Sequence, residues 1–297
     1  MALIIVALSI MLAGCGETVT TLSATTEGAQ PVPSTTVVTT APPATTGTSA
    51  TTTTTIWSPS SGEGAVMIYL IQGESLAVTW RPAGPHEAAA IMEGLLSGPT
   101  SLEEEIGFST AVPIDTTLRS VTVSGDTAVV DLSPAIGAGG GSLSMLLRVA
   151  QVVYSLTELP GVTRVEFMID GSPVEALGGE GVIVEGGVTR SDFVGLLPPV
   201  LLIAPAPFET IQRTLTVRGN AAQDVETLDI LVTGRDGLIL TETTLELRAS
   251  VDNRRPFETE MTFSGTAARG AIILTWIDPD GRKQVLEVPV EVELTEV

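Results

Sequence analysis

The sequence predicts an α+β domain followed by an all-β sandwich, and three observations carry that prediction. Two amphipathic helical stretches are interleaved with strand-like runs between residues 63 and 195. Seven short strand-like runs separated by turn residues fill 197–297, with no helical stretch among them. Pro198-Pro199 stands between the two patterns. Length agrees with the division, since 297 residues exceed the roughly 100 to 200 that one domain usually holds.

Before the folded part, Ala2 to Gly14 reads ALIIVALSIMLAG. This run is shorter than the about 20 residues a membrane-spanning helix needs, and 1–14 is read as a signal peptide. It ends in Leu12-Ala13-Gly14-Cys15, which resembles a bacterial lipobox, and Cys15 is the single cysteine of the chain. The resemblance implies that Cys15 becomes the lipidated N-terminus and tethers the protein to the extracytoplasmic face of the cell membrane. Two acyl chains hold a protein stably, at about 0.8 kcal/mol per buried CH₂. From 15 to 62 the chain is dominated by Thr, Ser, Pro, Ala and Gly, with Glu17 and Glu27 its only charges before Glu63. Such a composition cannot recover its ordering entropy by packing, so it is expected to be a disordered stalk. Its Thr/Ser-rich, Pro-interrupted character resembles O-glycosylated stalks.

Within 63–195, Val66 to Ile71 is a continuous apolar run suited to a buried strand. A helix follows: Pro85 suits its first turn, Glu87 its positive end, and Ile91, Met92, Leu95 and Leu96 share one face up to Gly98-Pro99. Leu118 to Leu132 alternates about Gly125-Asp126, the pattern of a hairpin. A glycine-rich loop (Gly137, Gly139, Gly140, Gly141) leads through Ser142 into a second helix with Leu143, Leu147, Ala150 and Tyr154 on one stripe. Val162 to Asp170 returns as a strand that turns at Asp170-Gly171. The order is β-α-β-β-α-β.

In 197–297 the strands are placed at Val200 to Ile203, Leu215 to Arg218, Leu228 to Thr233, Leu238 to Leu245, Phe257 to Phe263, Ala271 to Ile277 and Val285 to Leu294. Short alternating strands at this spacing argue for a two-sheet sandwich. With no cysteine to bridge it, the sandwich rests on an apolar core that includes Phe257, Phe263 and Trp276.

Three stretches carry a family resemblance: Leu95-Leu96-Ser97-Gly98-Pro99-Thr100, Ala128-Val129-Val130-Asp131-Leu132-Ser133, and the run from Ala150 to Val162, AQVVYSLTELPGV. With Asp170-Gly171 and Thr189-Arg190 they resemble the GerMN domain of spore-germination and sporulation lipoproteins. Pro205-Ala206-Pro207, Leu215 to Ala221, Pro256-Phe257-Glu258 and Asp280-Gly281 resemble the immunoglobulin-like domain of bacterial spore germination, which commonly follows GerMN. The pair implies an envelope lipoprotein with no catalytic centre.

Composition narrows function in the same direction. Acidic residues outnumber basic ones 35 to 14, giving −21, which repels nucleic acid and anionic lipid headgroups. One Cys, one His and one Lys exclude multi-Cys metal sites and leave few ways to build a nucleophile and its base. Gly137 to Ser142 lacks the P-loop lysine and the third glycine of a dinucleotide fingerprint, and its preceding strand reads as hairpin rather than crossover. His86 reads as a surface imidazole at a helix start. Glu103-Glu104-Glu105 reads as a solvated acidic face rather than a Ca²⁺ loop. Asp278-Pro279-Asp280-Gly281 reads as a hairpin tip. No catalytic, cofactor or metal residue is assigned; Cys15 is the one site residue. The expected function is a non-catalytic, lipid-anchored envelope protein that contacts other envelope proteins or itself. The alternative is an accessory lipoprotein that senses cell-wall glycan or modulates a membrane sensor kinase.

Overall fold

The computed structural model describes residues 61–179, 181–235, 237–248, 250–264 and 269–292. The run read as a signal peptide, Cys15 and the expected stalk up to residue 60 lie outside them. β1 (Ala65–Gln72) and β2 (Ser75–Pro82) form an antiparallel hairpin about Gly73, whose φ of +64° a side chain would strain. β2 has no counterpart in the strand pattern drawn from the sequence. Its residues Leu76 to Arg81 are all buried, so the alternation that marks a half-exposed strand is missing.

α1 (Glu87–Leu96) buries Ala90, Ile91, Met92 and Leu95, the face expected of it apart from the half-exposed Leu96. α2 (Ser101–Glu105) opens with a capping box, in which Thr100 N–H donates to Glu103 Oε2 at 2.7 Å and Glu103 N–H donates to Thr100 Oγ1 at 3.3 Å. β3 (Phe108–Ser109) then pairs with the far end of β1, completing the sheet β2-β1-β3.

The hairpin of β4 (Leu118–Ser124) and β5 (Thr127–Leu132) turns at Gly125-Asp126 as expected. β5 is also one arm of a crossover. α3 (Ser142–Leu156) carries the chain over to β6 (Arg164–Ile169), which lies parallel to β5 on the edge that β4 leaves open. β7 (Ser172–Pro173) folds back through Asp170 and Gly171, at φ +46° and +80°, and closes the sheet β4-β5-β6-β7. The small hairpin β8 (Ala176–Leu177) and β9 (Val182–Ile183) and a 3-10 segment, Arg190–Leu196, complete this half. The class is α+β, with the strands divided between two main sheets.

α3 is buried almost all round from Leu147 to Leu156, and its polar residues explain how. β3 covers only the last residues of β1, so the backbone of Tyr69 needs other partners. Tyr69 N–H donates to Ser155 Oγ at 2.9 Å, and Gln151 Nε2 donates to Tyr69 O at 3.0 Å. Two side chains of α3 thus stand in for a neighbouring strand. Leu143, expected on the buried stripe, is exposed at the helix start.

The second half is a sandwich. β10 (Val200–Ala204), β12 (Thr214–Ala222) and β15 (Arg254–Thr262) make one sheet in the order β10-β12-β15. β11 (Thr210–Ile211), β13 (Thr227–Gly234), β14 (Ile239–Glu246), β16 (Arg269–Ile277) and β17 (Lys283–Val292) make the other, in the order β11-β17-β16-β13-β14. All seven expected strands are present. Their inward residues, among them Val217, Phe257, Ile230, Ile272 and Val290, form one apolar cluster, with Phe263 inside it and Trp276 against its edge.

The described residues fall within one compact unit, and its two halves meet along an apolar seam. Leu201 and Ala206 belong to the first half's cluster, and Trp80 Nε1–H donates across the seam to Ile203 O at 2.9 Å. Ser61, at the start of the described chain, donates through N–H and Oγ to the Glu209 carboxylate, each at 3.1 Å.

Candidate functional site

The residues weighed in the sequence fall into separate places. His86 is exposed at the N-cap of α1 with no side-chain capping bond. Asp278 to Gly281 forms the β16–β17 turn, where Arg282 N–H donates to Asp278 Oδ1 at 2.8 Å.

The glycine-rich loop has a structural task opposite in charge to a phosphate cradle. It presents carbonyls to a cation: Arg148 Nη1–H donates to Ile136 O at 2.6 Å and Ala138 O at 3.0 Å, and Nη2–H to Gly139 O at 3.3 Å. Arg148 Nε–H reaches Ala111 O at 2.8 Å. Burial lowers the Arg148 pKa.

The acidic run corrects the expectation of a solvated face. Glu104 and Glu105 are exposed, but Glu103 is buried and takes two bonds from Arg81: Nη2–H to Oε2 at 2.7 Å and Nη1–H to Oε1 at 2.9 Å. Thr79 Oγ1 donates to the same carboxylate. Burial pushes the Glu103 pKa up, and the bonds and charge of Arg81, then Thr79 and Thr100, outweigh it and hold the carboxyl below its usual range.

A further set of polar side chains surrounds a cavity at the seam. A cleft of about 810 Å³ opens between the end of α3, the 3-10 segment, β12 and the 251–256 turn. Its floor is a linked set. Tyr69 Oη–H donates to Glu158 Oε1 at 2.9 Å, and Arg190 Nη2–H donates to the same carboxylate. Arg190 Nη2–H also reaches Tyr154 O at 3.0 Å and its Nε–H reaches Thr157 Oγ1 at 2.7 Å. The guanidinium lies 5.0 Å from the centre of the Tyr154 ring and 5.8 Å from that of Tyr69, within cation–π range.

From the second half comes Arg254, whose Nε–H donates to Asn220 Oδ1 at 2.8 Å and Nη2–H to Pro198 O at 2.8 Å. No carboxylate among the described residues lies within 4.0 Å of it.

Electrostatics define what this floor can do. Burial, then the Glu158 charge, pushes the Tyr69 pKa well above its ordinary value against the pull of Arg190. Burial likewise raises Tyr154, against both arginines. The phenols stay protonated at neutral pH and act as donors, not bases. Burial works against the Arg190 charge, but Tyr69 and Glu158 overcome it and raise its pKa. Burial lowers Arg254, against Tyr154 and Asp224. Both arginines remain cationic; Arg190 is paired with Glu158, whereas Arg254 lines the cleft with no carboxylate within 4.0 Å among the described residues. Among the described residues, no group of three or more His, Cys, Asp and Glu side chains is placed to hold a metal ion.

Sequence reasoning singled out neither Arg190 as a charge nor Arg254 at all. Thr189-Arg190 was visible as part of the family pattern, whereas Arg254 enters through a contact that only the fold creates. Cys15 lies outside the described residues.

Fold and site together define a two-part protein: an α+β domain with a β-sandwich seamed to it. Residues 60–175 match the Germane family model, described as sporulation and spore germination. Solved structures similar to it include the first GerMN domain of the sporulation protein GerM from Bacillus subtilis, at 21% identity, covering 43% of this chain and 98% of that one, with a TM-score of 0.36. The tandem GerMN domains of the same protein are similar at 16% identity over 67% of this chain and 61% of that one, TM-score 0.38. No curated protein sequence matches the chain. No helix among the described residues is long and apolar enough to cross a membrane.

Proposed function

We propose that this protein is a non-catalytic, lipid-anchored component of the cell envelope that works as a protein-interaction or assembly module of the sporulation and germination type. The Germane match over 60–175 is the observation that carries this reading. The lipobox-like run ending at Cys15 supports the anchor, and a stalk of Thr, Ser and Pro supports display away from the lipid surface. The use of buried charge supports a non-catalytic role. Arg81 is spent on Glu103 and Arg148 on loop carbonyls, each holding elements together rather than activating a nucleophile.

Fractionation of cells expressing the chain and its Cys15→Ser variant tests the anchor. The parent chain is expected in the membrane fraction, and the variant in the medium or as unprocessed precursor. A Cys15→Ser chain that stays membrane-bound at mature mass contradicts the proposal. Hydrolysis of purified wall fragments by the folded chain, lost in His86→Ala, contradicts its non-catalytic part.

A further inference from the structure

The seam cleft combines features that the proposed role in protein contact does not by itself require. Each of its arginines has two nitrogens fixed by protein acceptors, and for both the remaining Nη1 makes no hydrogen bond among the described residues. Arg190, already paired with Glu158, and Arg254, with no carboxylate within 4.0 Å among the described residues, both line this one cavity. A planar guanidinium with a pre-set donor is suited to a carboxylate.

The walls say what should be attached to that carboxylate. Val194, Leu197, Leu201, Val251 and Pro256 line the cleft, and Val194 and Val251 are exposed. Ser191 and Asn253, also in the lining, offer hydrogen bonds suited to a peptide group. Sugar rings commonly stack on open aromatic faces, but Tyr69 and Tyr154 are 2% and 3% exposed and Arg190 lies over both.

We propose that the cleft between the two halves captures the C-terminal carboxylate of a partner polypeptide, with Arg190 and Arg254 holding the carboxylate and the valine, leucine and proline wall taking an apolar final side chain. This assignment rests on the reading of the chain as a protein-contact module and names the chemistry of one contact. A cavity of about 810 Å³ accommodates a few terminal residues, within the usual range for ligand sites of about 300–1,000 Å³. Asp252 at the rim opposes the anion, which gives a second handle.

Calorimetric titration of the full chain in neutral detergent tests the proposal, using an N-acetylated tripeptide ending in valine with a free carboxylate and the same peptide as its C-terminal amide. The acid should bind at least about tenfold more tightly than the amide, and added salt should weaken only the acid. Arg254→Gln should reduce acid binding to the amide level. Asp252→Asn, at a φ of +49° that Asn tolerates, should tighten the acid by about twofold and leave the amide unchanged; it decides the matter should Arg254→Gln lower the melting temperature. Equal binding of acid and amide, or no saturable binding of either, overturns the proposal. So does competition by glucuronate as strong as that of the acid peptide, which would assign the cleft to an acidic sugar. None of these failures touches the fractionation and hydrolysis tests of the proposed function.

Discussion

Glu103→Gln removes one charge and leaves the shape of the side chain nearly unchanged, so it isolates the buried ion pair with Arg81. The two side chains are 4% and 10% exposed. In the parent, Arg81 donates twice to the carboxylate and Thr79 once, while Thr100 N–H caps α2 on the same group. Glutamine offers one oxygen for these donors and turns an NH₂ toward the rest. Breaking a buried pair on one side costs about 3–5 kcal/mol because the remaining charge is uncompensated. The retained oxygen places Glu103→Gln near about 3 kcal/mol, or about 6–12 °C in melting temperature for a folded part of this size.

Urea titration followed by circular dichroism measures it, with Glu104→Gln and Glu105→Gln as exposed controls expected within about 0.5 kcal/mol of the parent. The pH dependence has a defined sign. Glu103 has a folded pKa below its ordinary value of 4.5, so its contribution is fully present above that value and is lost as pH falls through the folded pKa. The gap between parent and Glu103→Gln should therefore close on acidification below 4.5. A loss under about 1 kcal/mol at pH 7, or a gap that widens in acid, refutes the assignment of Glu103 as a buried anion.

Three further outcomes are expected. Arg148→Lys gives up the fork that reaches Ala111, Ile136, Ala138 and Gly139, and should lower stability by about 2–3 kcal/mol and speed amide exchange in 137–141, read by mass spectrometry. At Gly219 a Cβ would stand 2.3 Å from Leu201 O and 2.5 Å from Phe257 Cζ, so Gly219→Ala should cost about 1–3 kcal/mol in a denaturant titration. Trp80→Phe keeps the packing of the seam but removes the bond to Ile203 O, and should cost about 1 kcal/mol.

The parts of the fold that were legible in the sequence are those where one face meets water. Strands of the sandwich such as β12 show in alternation, with Leu215, Val217, Gly219 and Ala221 facing inward, whereas β10 shows as a short apolar run after Pro198-Pro199. The hairpin at Gly125-Asp126 and the turn at Asp170-Gly171 show because few residue types take those backbone shapes. β2 was illegible because it is buried on both faces, and because burial of its polar Thr79 and Arg81 depends on Glu103, which the fold places beside them. The same hidden pair made Glu103 look like its exposed neighbours. The β5–α3–β6 crossover was missed because a strand can serve a hairpin on one edge and a parallel partner on the other. The seam cleft had no local signal, since Arg190 and Arg254 lie on separate elements and converge only when β10 packs against β2.

The claim that this protein acts by contact with another polypeptide is tested most directly by photo-cross-linking in living cells. Photoreactive residues at the exposed apolar positions Ile114, Ile183, Val251 and Ile277 sample both halves. The expected result is a discrete polypeptide adduct from at least one position, present in the parent chain and lost when Cys15→Ser releases it from the membrane. Adducts to wall glycan alone, or no polypeptide adduct from any of the four positions, would contradict it.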